Sequence, residues 1–279
     1  MVSMNRLAPD RRAQIVSCLV EGMSIRATVR VAGAAKNTVT KLLADLGTAC
    51  AEYLDGAMTG LDSQRIECDE IWAYCYAKAK NVPDEHKGTF GSGDVWTFTA
   101  IDADTKLVPS FLVGERTYED AELFIRDLAS RLRNRVQLST DGYHAYVVAV
   151  ENTFGGEIDF AQLRKIYGID PKAESRYSPA KCIGMEKYVR SGDPDPRHIS
   201  TSYVESEDLT MRMGMRRFTR LTNAFSKKIE NLTAAVALHF AHYNLCRVHQ
   251  SLKTTPAVAV GIEDHVWTIP ELVDLLDSN

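Results

Sequence analysis

The stretch RIECDEIWAYCYAK, residues 65–78, decides how the chain is read, because it has the β-branched and aromatic character of a strand and yet carries Asp69 in its middle. An ionised carboxylate flanked by apolar neighbours is costly to bury unless a partner or a metal ion meets it. Two more segments of strand character follow, DVWTFTAIDAD (94–104) and KLVPSFLVG (106–114), separated by Gly, Asp and Thr punctuation. Together the three predict an antiparallel meander.

Beyond the meander the period changes. Ala121, Phe124, Leu128 and Leu132 stand at helical spacing, with Thr117 and Asp120 at capping positions, so a helix is expected over 117–134. The short strand RVQLST (135–140) ends at Asp141, a helix is expected over 143–151, and a further strand over 159–166. The order β-β-β-α-β-α-β, followed by helices, predicts an α/β layered sheet. In such a sheet the first and fourth strands can be neighbours, which would bring Asp69 and Asp141 within reach of each other. Two adjacent unpaired acids repel, and a divalent cation is their natural occupant.

The third candidate acid is Glu205, in SYVESED (202–208), at the start of a helix expected over 203–225. Arg212 and Arg216, seven and eleven residues further on, would share its face and could hold a phosphate backbone. Each acid also has a plainer reading. Ser202 and Glu205 fit a capping box, and Asp141-Gly142 fits a turn, whereas an acid in mid-strand at Asp69 has no local structural role.

At the other end, residues 9–21, 24–31 and 36–46 read as three short helices broken at Gly22, Gly33 and Gly47. SIRATVRVAGAAKNTVTKLLADLG (24–47) has the shape of a helix-turn-helix, with Lys36, Asn37, Thr38 and Lys41 as candidate groove contacts; a plain three-helix bundle would look similar. Through residue 47 seven basic residues stand against three acidic ones. The expected organisation is therefore a helix-turn-helix DNA-binding domain (1–47), a linker or connecting helix (48–63), a catalytic domain (64–250) in which 168–200 reads as an insertion or long loop, and a C-terminal tail (251–279) with a short helix near 270–276.

Composition sets the frame. The chain has 279 residues, 45% hydrophobic and 25% charged, with a net charge of −4, as expected of an ordinary globular protein and not of a disordered, collagen-like or disulfide-scaffold chain. Any basic surface must be local. No stretch approaches the roughly 18 consecutive apolar residues of a spanning helix, and the start lacks an apolar signal core, so a cytoplasmic protein without membrane contact is expected. Six scattered cysteines, Cys18, Cys50, Cys68, Cys75, Cys182 and Cys246, form no zinc-finger spacing and read as reduced thiols.

Four stretches resemble the DDE transposases of bacterial insertion elements, most closely the insertion-sequence-1 type: ECDEIWAYCYAKAK (67–80), LSTDGYHAY (138–146), SYVESEDLTMRMGMRRFTRLTNAFSKKIEN (202–231) and HYNLCRVHQSLKTTPAVAVGI (242–262). The resemblance implies a ribonuclease-H-like mixed sheet flanked by helices and makes Asp69, Asp141 and Glu205 the three catalytic, metal-holding acids. It also implies Mg²⁺, with Mn²⁺ as a substitute and two ions in the site, and double-stranded DNA as partner, both element ends and target. A homo-oligomer is expected on the same ground. Arg212, Arg216, Arg217 and Arg220 would hold phosphates near the cut. The family's Arg and Asn after the glutamate are replaced here by Ser206 and Asp208, with Glu207 between them, so Glu207 and Asp208 stand as alternatives to Glu205. Two rival functions share these features: a helix-turn-helix DNA-binding protein without catalysis, and a ribonuclease-H-like nuclease without strand transfer.

Overall fold

The computed structural model of the chain describes residues 7–168, 181–219 and 223–277. Three helices come first: α1 (Pro9–Val20), α2 (Ile25–Ala32) and α3 (Lys36–Ala57). Ser24 caps α2 by accepting the Ala27 N–H, and Gly33 ends it in the left-handed conformation that a side chain would resist. The third helix, expected to stop at Leu46, instead continues for eleven more residues. Gly47 is no break: a Cβ there would lie 2.5 Å from the Cα of Ala234. It is the point at which α3 crosses a later helix, α7 (Ile229–Ala241), backbone against backbone.

The sheet contains β1 (Arg65–Cys75), β2 (Gly93–Asp102), β3 (Ser110–Gly114), β4 (Gln137–Thr140), β5 (Asp159–Gly168) and β6 (Lys181–Ser191), in the order β3-β2-β1-β4-β5-β6. The first three are an antiparallel meander, and β4 lies parallel to both β1 and β5. Helix α4 (Tyr118–Arg131), capped by the Thr117 hydroxyl on the Asp120 N–H, connects β3 to β4, and α5 (Ala145–Phe154) connects β4 to β5. The stretch 168–200 is only partly the loop expected. Lys181–Ser191 pairs antiparallel with β5 as an edge strand, while 169–180 lies outside the described residues.

Alternation along β1 sends Ile66 and Cys68 to one face, where Phe98, Phe124, Leu128 and Tyr146 form a core under α4 and α5. Ile71, Ala73 and Cys75 go to the other face, into a larger core with α3, α7 and α6 (Ser202–Gly214). The N-terminal helices and the short α8 (Pro256–Ala259) and α9 (Ile269–Asp274) complete that side. The result is a three-layer arrangement, helices over both faces of a mixed sheet. Helix α6 ends at Gly214, well short of the expected Phe225, because Met215 leaves helical geometry and turns its side chain into the core. No helix among the described residues is long and apolar enough to cross a membrane.

Candidate active site

Register places the first two acids. Cys68 of β1 lies opposite Thr140 of β4, so Asp69 and Asp141, one residue further along each parallel strand, emerge side by side. Asp69, Glu70 and Asp141 each offer a carboxylate oxygen within 4.8 Å of one another. Glu205 and Asp208 of α6 line the same cleft of 600 Å³, with Arg164, Lys165 and Arg212 as its cations. Sequence distant by well over a hundred residues is thus gathered at one point by a strand pair and one helix.

Asp69, Asp141 and Asp208 are each held with an oxygen to spare, whereas both oxygens of Glu205 are engaged. Asp69 accepts the Glu70 N–H on Oδ1 (2.8 Å). Asp141 accepts the Tyr143 N–H on Oδ1 (2.9 Å), so the turn expected from Asp141-Gly142 is formed and uses one oxygen, with Oδ2 left 3.9 Å from the Arg116 guanidinium. Gln162 on β5 fixes that turn by donating to the carbonyls of Asp141 (2.8 Å) and Tyr143 (3.1 Å). The carboxylate of Glu205 accepts from the Thr201 hydroxyl (2.6 Å) and is paired with Lys165. Asp208 is 8% exposed, and its Oδ1 is buried with no hydrogen-bond partner among the described residues.

The capping box expected of Ser202 and Glu205 does not form. Glu67 of β1 takes that role, its Oε2 accepting the N–H groups of Tyr203 (2.7 Å) and Val204 (3.1 Å) at the positive end of α6. The substitution of one acid for another is what frees Glu205 to face the cleft.

Burial and mutual repulsion dominate the electrostatics. Loss of hydration, then the nearby Asp141 charge, pushes the Asp69 carboxyl well up from the ordinary carboxylate range. Glu70 rises to about 8 for the same two reasons, opposed by its pairing with Arg116. Asp141 and Asp208 are also raised, chiefly by burial. Four acids that are reluctant to ionise together form a concentration of negative potential that a cation would relieve.

Two contributors, Glu70 and Arg116, were not singled out in the sequence. Glu70 points to the opposite face of β1 from Asp69 yet reaches the group, where it also accepts from the Tyr146 hydroxyl (3.1 Å). Arg116 sits between the rings of Trp96 and Tyr143, 4.8 and 4.2 Å from their centroids, with its charge toward Glu70. Behind α6, Glu207 is 3% exposed and meets His239 Nε2 at 3.1 Å, which places it in the core and not in the cleft. Asn244 clamps the Val108 backbone from both sides, accepting its N–H (3.0 Å) and donating to its carbonyl (2.9 Å).

The expected DNA contacts fall in two places. Lys36 and Asn37 are exposed at the start of α3, Thr38 is half-buried, and Lys41 is exposed and paired with Asp45 (2.5 Å). Arg212 lines the acidic cleft. Arg216 does not share the Glu205 face as expected: with α6 ended at Gly214, Arg216 and Arg217 sit on a separate single turn, Arg216–Phe218. Arg220 lies outside the described residues.

No family model and no curated protein matches the chain. Among solved structures, a piggyBac transposase in a synaptic complex with hairpin DNA is similar at 11% identity, over 96% of this chain and 70% of that one, with a TM-score of 0.44. So loose a likeness leaves the meaning of the cleft to its own geometry.

Proposed function

We propose that the chain is a DDE-type transposase that cuts DNA at the ends of an insertion element and joins them to a target, on a ribonuclease-H-like catalytic fold with a helix-turn-helix at its N-terminal end. The observation that carries this reading is the convergence of Asp69 from β1, Asp141 from the end of β4 and Glu205 from α6 on one cleft. The meander joined to parallel crossovers, a mixed sheet flanked by helices, supports this reading.

The residues fit divalent cations. The donors are all carboxylate oxygens, as Mg²⁺ and Mn²⁺ prefer, and Asp208 adds a buried oxygen without a hydrogen-bond partner among the described residues. Asp69 and Asp141 from the strands, with Glu205 and Asp208 from the helix, would hold the ions. Bound there, two such ions would supply Lewis-acid stabilisation of the charge that builds at the attacking and leaving oxygens of an in-line phosphodiester displacement.

The chain's own groups do the rest. Gln162 and the Tyr143 N–H hold the Asp141 carboxylate in one orientation, and Glu67 fixes the helix that delivers Glu205 and Asp208. Lys165, now on Glu205, and Arg212 lie where a phosphate would enter, and exchanging a carboxylate for a phosphate oxygen keeps each cation paired. Water, and later a DNA 3′-hydroxyl, would use the same acids, so one site serves both cutting and joining. A homo-oligomer, at least a dimer, follows from the need to join two ends.

The test incubates the full chain with duplex DNA from the flanks of its own gene and a target plasmid in Mg²⁺. Joined products that disappear with chelator and in Asp141→Asn are expected. Sequence-specific binding without joining would replace this reading by that of a DNA-binding protein without catalysis.

A further inference from the structure

Of the acids lining the acidic cleft, Glu70 alone is left out of the proposed metal set, although its oxygen lies within 4.8 Å of those of Asp69 and Asp141. Ligands of one Mg²⁺ stand about 2.1 Å from it, hence no more than about 4.2 Å apart, so a small rotation of so long a side chain would bring it in.

What opposes that rotation lies on the other face of β1. Successive residues alternate, so Glu70 turns toward the core under α4 and α5, where Phe98 is its cross-strand neighbour and its side chain is 1% exposed. A carboxylate there is costly unless donors meet it. Arg116 donates from Nε to Oε1 (2.7 Å) and pairs with the same oxygen through Nη2, and the Tyr146 hydroxyl donates to Oε2 (3.1 Å).

Arg116 is itself fixed from several directions. Its guanidinium lies between the rings of Trp96 on β2 and Tyr143 after β4, 4.8 and 4.2 Å from their centroids. Its backbone is set by the start of α4, where Asp120 accepts the Glu115 N–H (2.7 Å) and Thr117 accepts that of Asp120 (3.1 Å). Gly114 permits this approach, since a Cβ there would lie 2.8 Å from the Asp120 carboxylate. Arg116 does not line the cleft, and it comes only to 3.9 Å from Asp141, beyond a hydrogen bond. Its bonds go to Glu70 and not to a metal-holding acid.

We propose that Arg116 is a positioning residue: it ties Glu70 back against Tyr146 and so keeps it out of the metal set, leaving Asp69, Asp141, Glu205 and Asp208 to hold the ions. The proposal rests on the reading of the acidic cleft as a divalent-metal site. A fifth carboxylate would tighten the hold on an ion and take a position that a phosphate oxygen needs. Arginine suits this role and lysine does not, because only a planar guanidinium can stack between two rings while donating to a carboxylate.

The test is a double-mutant cycle on the full chain, read as Mn²⁺ affinity by electron paramagnetic resonance and as joining in Mg²⁺. Arg116→Ala should bind Mn²⁺ roughly tenfold tighter than the parent and yet join DNA roughly tenfold less well. Glu70→Gln should leave Mn²⁺ affinity within about twofold of the parent's, and Arg116→Ala combined with Glu70→Gln should return it to that range. Were Arg116 only a nearby charge, Glu70→Gln would weaken binding by the factor that Arg116→Ala strengthens it, and that additive result overturns the inference. Unchanged or weaker binding in a folded Arg116→Ala chain overturns it too. If Arg116→Ala does not fold, Glu70→Gln decides: unchanged affinity supports the inference, and a loss of about tenfold makes Glu70 a ligand in the parent and overturns it. A parent that binds Mn²⁺ but joins nothing fails the transposase reading, and the cycle in Mn²⁺ affinity still decides the role of Arg116. A parent that binds no Mn²⁺ overturns the metal site and this inference together.

Discussion

The two clefts at the ends of α6 are electrostatic opposites. One gathers Asp69, Glu70, Asp141, Glu205 and Asp208 against three cations, and burial raises four of those acids. The other, between the last turn of α6, the α2–α3 pair and α7, gathers Arg26, Lys36, Arg216, Arg217 and Lys227 over an apolar floor, with no Asp or Glu among the described residues that line it. The first is unfavourable to itself and would be relieved by a divalent cation. The difference teaches that in a chain of slightly acidic composition the charge that matters is separated along one helix, acids gathered at one end and cations at the other.

The largest expected effect breaks the comparison on its acidic side. Asp69→Asn or Asp141→Asn should lower joining roughly a thousandfold or more, while the strength and salt dependence of DNA binding stay close to those of the parent chain. A loss of binding equal to the loss of joining would show that the acids support the fold and not the chemistry.

Gly47→Ala acts on the basic side. Its Cβ would stand 2.3 Å from the Ala234 carbonyl, so α3 and α7 must separate, at a cost of about 1–3 kcal/mol in denaturant unfolding. Helix α3 is a wall of that cleft, whereas the acids of β1 and β4 are not moved.

A smaller effect comes from pH. In the folded chain Glu70 keeps its proton up to about 8, against an ordinary value of 4.5. The folded state therefore holds protons more tightly, and the stability this contributes is complete below about pH 4.5 and is lost as pH rises through about 8. With chelator, the unfolding temperature should fall across that window, and Mg²⁺ should flatten the fall by taking up the charge. A profile indifferent to Mg²⁺ would separate the raised acids from metal binding.

Much of this was legible in residues 65–141. The meander and the Thr117 cap follow from period and punctuation, whereas the adjacency of β1 and β4, and with it the pairing of Asp69 with Asp141, was one arrangement that such a sheet permits. What escaped did so for physical reasons. Gly47 reads as a helix break, yet it is demanded by a contact with Ala234 that no local pattern announces. Strand β6 lies at a sheet edge with Ile183, Met185 and Val189 exposed, so no burial contrast imposes an alternation on its sequence. Glu70 sits on the face of β1 opposite Asp69, where a strand pattern assigns it elsewhere, and only its length brings it to the site. The cap on α6 comes from Glu67, over a hundred residues away, where a nearby Ser202 offered a local answer. Of the basic cleft the sequence shows single cations, Lys36, Arg216 and Arg217, and not their assembly, since its walls come from three separate parts of the chain.

The metal-site reading joins carboxylates from two strands and a helix. It is tested most directly by titrating Mn²⁺ into the full chain and following free ion by electron paramagnetic resonance, alongside Asp69→Asn, Asp141→Asn and the distant control Asp45→Asn. Binding by the parent and the control, abolished in both strand variants and displaced by Mg²⁺, is expected. Undiminished Mn²⁺ binding in Asp69→Asn and Asp141→Asn would contradict it.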